Sequence, residues 1–215
     1  MFHLLLLCAA SLLVQSAFAG DSTVSHARSV EPGSRVTVEG SVTVPSAAFS
    51  SSTFDQGFAL QDDSAGIYVS LSDDPHLQLH RRVRVTGEVG DDGFGQLVLR
   101  PDSLHDVEVL KGAWAYRPQS VSTGSVGETT EGLLLEVEGT IIRGPTNDLP
   151  YGYSLFIDDG SGEVQVFIAA STGINPFRIG YLRPGTTIRV TGLSSQFLAS
   201  IEVLPRTTGD IHRAR

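Results

Sequence analysis

Val36-Thr37-Val38-Glu39-Gly40 and Leu135-Glu136-Val137-Glu138-Gly139 are one short phrase written twice, roughly a hundred residues apart. Asp62-Asp63-Ser64-Ala65-Gly66-Ile67-Tyr68-Val69 is answered by Asp158-Asp159-Gly160-Ser161-Gly162-Glu163-Val164-Gln165-Val166. Arg82-Val83-Arg84-Val85-Thr86-Gly87 is answered by Thr187-Ile188-Arg189-Val190-Thr191-Gly192. Three matched strand-like segments in one order and at similar spacing describe two copies of a small β unit. Each copy exceeds the roughly 20–50 residues of a solenoid repeat, so each is expected to bury its own core.

Outward from those segments, apolar residues recur at every second position, the period of a half-buried strand. Val36/Val38, Val42/Val44, Phe58/Leu60, Ile67/Val69/Leu71, Val83/Val85 and Leu97/Leu99 mark the first unit. Asp62–Gly66 and Gly90–Gly95 read as hairpin turns, because Asp, Asn and Gly favour tight reversals. The Ser-rich stretch 45–56 reads as a long loop, and 72–79 has room for one helical turn. The second unit repeats the plan, with 144–152 as its first long loop. Residues 20–33 read as a flexible leader, 34–111 as the first unit, 112–127 as a linker anchored by Trp114 and Tyr116, and 128–215 as the second unit.

Residues 1–19 read as a cleaved secretory signal: an apolar run from Phe2 to Val14, then Ala17-Phe18-Ala19 before Gly20. The run is shorter than the roughly 20 residues a spanning helix needs, so the chain is expected not to cross a membrane and to be secreted or periplasmic. Cleavage after Ala19 removes Cys8, the only cysteine, and with it any disulfide or thiol chemistry. Net charge is −9, and Lys111 is the only lysine. An acidic chain exerts no long-range attraction on phosphate backbones.

Five short strands with a long first loop, a hairpin, an irregular crossing and a second hairpin are the plan of a Greek-key barrel. Glycines after the first and fourth strands suit the sharp bends that closure requires. On "VEG", "QDDSAGIYV", "RVRVTG" and their second-half partners, the sequence resembles tandem OB-fold nucleic-acid-binding domains of the transfer-RNA-anticodon and helicase type. The likeness is greatest to copies in bacterial extracellular nucleases and sensor proteins. It implies an all-β chain of two tandem five-stranded OB-fold barrels, with ligands across strands 2 and 3.

Alternation predicts what those faces carry. In the second unit Leu155, Ile157, Val164, Val166 and Ile168 turn inward, leaving Ser154, Phe156, Gln165 and Phe167 outside. Two outward aromatics on adjacent strands suit base stacking; the alternative is that the linker, the other barrel or a loop covers them. The first unit presents Ala59, Gln61, Tyr68 and Ser70. Arg82 and Arg84 on one fourth strand and Arg189 on the other could meet phosphates, or could pair with nearby carboxylates. Asp62-Asp63 and Asp158-Asp159 suit turn formation better than a calcium loop, and His76 with His80 lacks the helix a metal pair needs. No metal and no cofactor is expected. No nucleophile elbow, Walker loop or zinc-protease helix is present, so no catalytic residue is assigned. The expectation is an exported, non-catalytic binding protein for single-stranded nucleic acid, DNA before RNA. The alternative is a protein- or saccharide-binding accessory or sensor module of the cell envelope.

Overall fold

Period-two alternation decides which side of each strand faces inward, and the chain closes those faces on themselves. A computed structural model describes residues 21–214; the expected signal lies outside the described residues. The first half contains α1 (Val24–Ala27), β1 (Arg35–Val44), α2 (Ser50–Thr53), β2 (Phe58–Gln61), β3 (Gly66–Val69), β4 (Arg81–Asp91), β5 (Leu97–Arg100) and β6 (Val107–Ala113). The second contains β7 (Gln119–Val121), β8 (Leu134–Asp148), β9 (Gly152–Asp158), β10 (Val164–Ala169), β11 (Thr187–Phe197), β12 (Ser200–Leu204) and β13 (Ile211–Arg213). The fold is all-β, as the alternation predicts. No described helix is long and apolar enough to cross a membrane.

The first sheet runs β1-β2-β3-β5-β4 and closes where β4 pairs with β1, an OB-like barrel with β6 added outside β4. The second sheet runs β8-β9-β10-β12-β11 and closes where β11 pairs with β8. Registers agree at matched positions. Val36 faces Gly87 and Val38 faces Val85, while Leu135 faces Gly192 and Val137 faces Val190. β3 and β5 are parallel, as are β10 and β12, with Tyr68 opposite Val98 and Gln165 opposite Glu202. β1 runs unbroken through Gly40, pairing with β4 before it and with β2 beyond it. A Cβ at Gly40 would press on Leu60 and on the carbonyl of Gln61, so the strand can turn there only as glycine.

Each barrel has its own apolar interior, and all ten inward predictions on the four hairpin strands and Leu71 are buried. A third cluster joins the halves: Val44, Phe49, Ala59, Tyr68 and Val98 meet Phe167, Ala169, Leu193 and Leu204. Polar pins flank it. Arg206 donates to the carbonyl of Thr43, Leu134 N donates to Gln61, Ser171 donates to the carbonyl of Ala48, and Glu131 accepts from Arg28 and Leu97 N. At Gly66 and Gly132 the two backbones run so close that a Cβ on either would strike the other's carbonyl.

Three expectations change. The leader 20–33 is not flexible over its described part: Thr23 caps α1, Val24 N donates to Asp62, and Val24 and Ala27 are fully buried in the first core. One turn is too short for a helical period to show in sequence. No helical turn forms at 72–79; one forms instead inside the loop 45–56, as α2. Residues 144–148 are not loop but the end of β8, which stays paired with β9 through bulges near Arg143.

Removing the first half should test the third cluster. A protein beginning at residue 112 is expected to melt at lower temperature than the intact chain and to bind a hydrophobic dye, because Phe167, Leu193 and Leu204 lose their cover. An unchanged melt without dye binding would show that this contact contributes nothing to stability.

Candidate functional site

The outer faces of the hairpin strands, expected to bind ligand, largely bind each other. Tyr68 is 3% exposed and Phe167 is 8% exposed, both inside the cluster between the halves. The stacking platform of Phe156 with Phe167 is therefore corrected: the other barrel covers Phe167. Tyr68, the outward aromatic expected of the first unit, is covered as well, and its hydroxyl donates to Asp55 at 2.8 Å. Burial first, and then the Asp55 charge, raise its pKa well above the ordinary phenol value. Gln61 is also committed, accepting from Leu134 N. Phe156 and Gln165 stay half-exposed beside one another on β9 and β10. Arg143 lies 4.0 Å over the Phe156 ring and is itself held by both oxygens of Glu163.

The predicted arginines are neutralised where they stand. Arg82 pairs with Glu39; Arg84 reaches Asp21, Glu39 and Glu108; Arg189 meets Glu138 at 2.8 Å and Glu136 at 3.7 Å. These sites are exposed, so the pairs add little stability, but they leave no free phosphate-binding stripe on β4 or β11. The acidic turns act as turns. Asp62 accepts from Ser64 and Ala65 amides, and Asp159 accepts from the Ser161 hydroxyl and amide and from Thr123. The Ser161 bond is the first cause of an Asp159 pKa far below the carboxylate range. Among the described residues no group of three or more His, Cys, Asp or Glu side chains gathers as a metal site.

What the meeting of the barrels creates is a cleft of about 190 Å³. On one side stand Ser52, Thr53 and Asp55 after α2, Tyr68 on β3, and Phe94 and Gln96 in the β4–β5 hairpin. On the other stand Ser195, Phe197, Glu202 and Leu204 from β11 and β12. The two hairpin tips touch: Phe94 stacks on Phe197 at 5.0 Å, and Leu198 N donates to the carbonyl of Phe94. Ser195 donates to Gln96 Oε1 at 2.8 Å across the cleft wall. Asp55 is saturated by Tyr68, Ser70, Thr53 and Gly57 N.

Three residues that line this cleft carry polar groups without a partner among the described residues. Gln96 Nε2 and Ser52 Oγ are buried without a hydrogen bond. Glu202 is 6% exposed, and burial, with Asp148 adding repulsion, pushes its pKa up to about 8. Alternation places Glu202 on the outer face of β12 but does not say that a second barrel lies over it. A usable signal existed in the repeat: Glu202 occupies the position of Val98, and a valine on an outer face marks a covered surface.

No protein-family profile and no curated protein matches the sequence. Solved structures give distant likenesses. The chain is similar to the tetrameric p202 HIN2 (13% identity, TM-score 0.39, 86% of this chain and 97% of that one). It is also similar to a murine DNA-binding protein bound to double-stranded DNA (12%, TM-score 0.36, 82% and 96%). A chain of the S. pombe Stn1–Ten1 complex matches over 38% of this chain and 58% of its own length (19%, TM-score 0.31).

Two measurements check this geometry. Phe167→Ala is expected to cost about 3 kcal/mol in urea unfolding, and Phe156→Ala less than about 1 kcal/mol; equal costs would place both rings in one environment. For Glu202, the native state keeps a proton that the unfolded chain releases above about pH 4.5, so stability falls as pH rises from there through about 8. Glu202→Gln should therefore raise the melting temperature at pH 8.5 and leave it nearly unchanged at pH 4.5.

Proposed function

We propose that the chain is an exported, non-catalytic binding module of two OB-folds, and that its ligand is an uncharged saccharide rather than a phosphate polymer. The observation that carries this reading is the fate of the two outer faces. Tyr68 and Phe167 cover each other's barrels, and Arg82, Arg84 and Arg189 are spent on carboxylates. What remains open between the barrels is lined by Asp55 and Asp92 against the single cation Arg100, an environment that does not favour phosphate. Five-stranded Greek-key barrels of this type take oligosaccharides as well as oligonucleotides. Export rests on the apolar start of the sequence and its Ala17-Phe18-Ala19 end. A non-catalytic role rests on carboxylates engaged in turns and ion pairs instead of opposing one another across a reactive centre.

Single-stranded nucleic acid keeps one observation in its favour. Phe156 and Gln165 line a hollow of about 250 Å³ on the free part of the second barrel, with Arg143 above the ring. A base displacing Arg143 would stack there.

Fluorescence anisotropy with labelled oligo(dT) separates the two readings. The expected result is no saturable binding at micromolar protein in 20 mM salt. Tight binding that weakens steeply by 200 mM salt, and that Phe156→Ala removes, overturns the saccharide reading, because such a slope reports counterions released from phosphates.

A further inference from the structure

We propose that the cleft between the barrels holds one small polyol, a single sugar ring, gripped by Glu202, Gln96 and Ser52. This inference rests on the saccharide reading above and adds the place and the contacts. Buried polar groups in folded proteins almost always have partners. Here two side-chain atoms without any, Gln96 Nε2 and Ser52 Oγ, belong to residues lining one cavity, together with the Glu202 carboxyl. They come from α2, the β4–β5 hairpin and β12, so the grouping exists only because the two halves meet.

The missing partners define the ligand. Gln96 Nε2 is a donor and calls for an acceptor, while Glu202 supplies acceptors. A cation satisfies the second and is repelled by the first. An anion satisfies the first and meets the carboxylates of Asp55 and Asp92. A hydroxyl both donates and accepts, so neighbouring hydroxyls on one ring serve all three groups. Glu202 stays largely protonated at neutral pH, which gives it a donor to share as well. The charged neighbours do not compete. Asp55 is saturated from Tyr68, Ser70, Thr53 and Gly57, Asp92 accepts from Phe94 and Gln96 amides, and Arg100 donates to the Asp91 carbonyl.

Size and walls agree. At roughly 30 Å³ per water, about 190 Å³ holds some six waters, the bulk of one small ring. Val98 and Leu204 line the cavity, and the stacked Phe94 and Phe197 stand among its walls with 48% and 44% of their surfaces exposed. Apolar surface beside hydroxyl-seeking groups matches a sugar, whose ring face is apolar and whose edge is not.

The test is an amide-shift titration of the full-length protein with free hexoses and N-acetylhexosamines at millimolar concentration. Shifts centred on Gln96, Ser195 and Glu202 are expected, with affinity falling at least tenfold in Gln96→Leu and in Ser52→Ala; the serine variant serves if the first fails to fold. Sugar shifts centred elsewhere, for example on the stacked Trp114–Tyr116 pair, overturn this site and leave the saccharide reading standing. No shift with any sugar overturns the site, and oligo(dT) binding in its place overturns both. A crystal soaked in sugar that shows only water on Glu202, Gln96 and Ser52 overturns the site as well.

Discussion

The apolar contact of Tyr68 and Val98 with Phe167, Leu193 and Leu204 governs what the remaining surface is free to do. Each of these side chains lies outside its own barrel, where alternation puts residues destined for water or for a ligand. Packed together, they remove the Tyr68 and Phe167 rings from solvent and turn two separable sheets into one unit. The polar pins around them follow: Gln61, Glu131 and Arg206 each meet a group from the other half only because the rings have brought the backbones within reach. The Gly66–Gly132 approach shows how close that is.

Electrostatics is arranged just as locally. Arg35, Arg82, Arg84, Arg143 and Arg189 each stand beside a carboxylate from a neighbouring strand or turn. Cross-strand pairing of unlike charges is the ordinary way for an exposed sheet face to stay soluble and in register. Its effect here is to cancel the cationic stripes while the surplus negative charge remains. The acidity of the whole chain and the pairing of these five arginines then point the same way.

The barrels were legible because period-two greasiness and matched glycines are local signals, and every core position read from Phe58 to Leu71 and from Leu155 to Ile168 lies inside. Phe167 and Tyr68 were legible only as outward, since alternation assigns a side and says nothing about what lies against it. Val24 and Ala27 escaped notice because one helical turn leaves no period. Glu202 looked like an ordinary solvated strand residue, and its burial comes from the other half of the molecule. Covered faces are set by long-range contacts, which a strand pattern does not encode.

The touching hairpin tips carry a corollary. Phe94 against Phe197 and one backbone hydrogen bond join the tips, while neither barrel's interior takes part. The ring contact is worth about 0.5–1.5 kcal/mol beyond its area, and the Ser195–Gln96 hydrogen bond adds to it one step in from the tips. The contact that borders the gap between the barrels is therefore independent of the two cores, and a change at Phe94 or Phe197 would alter that border while both interiors keep their packing.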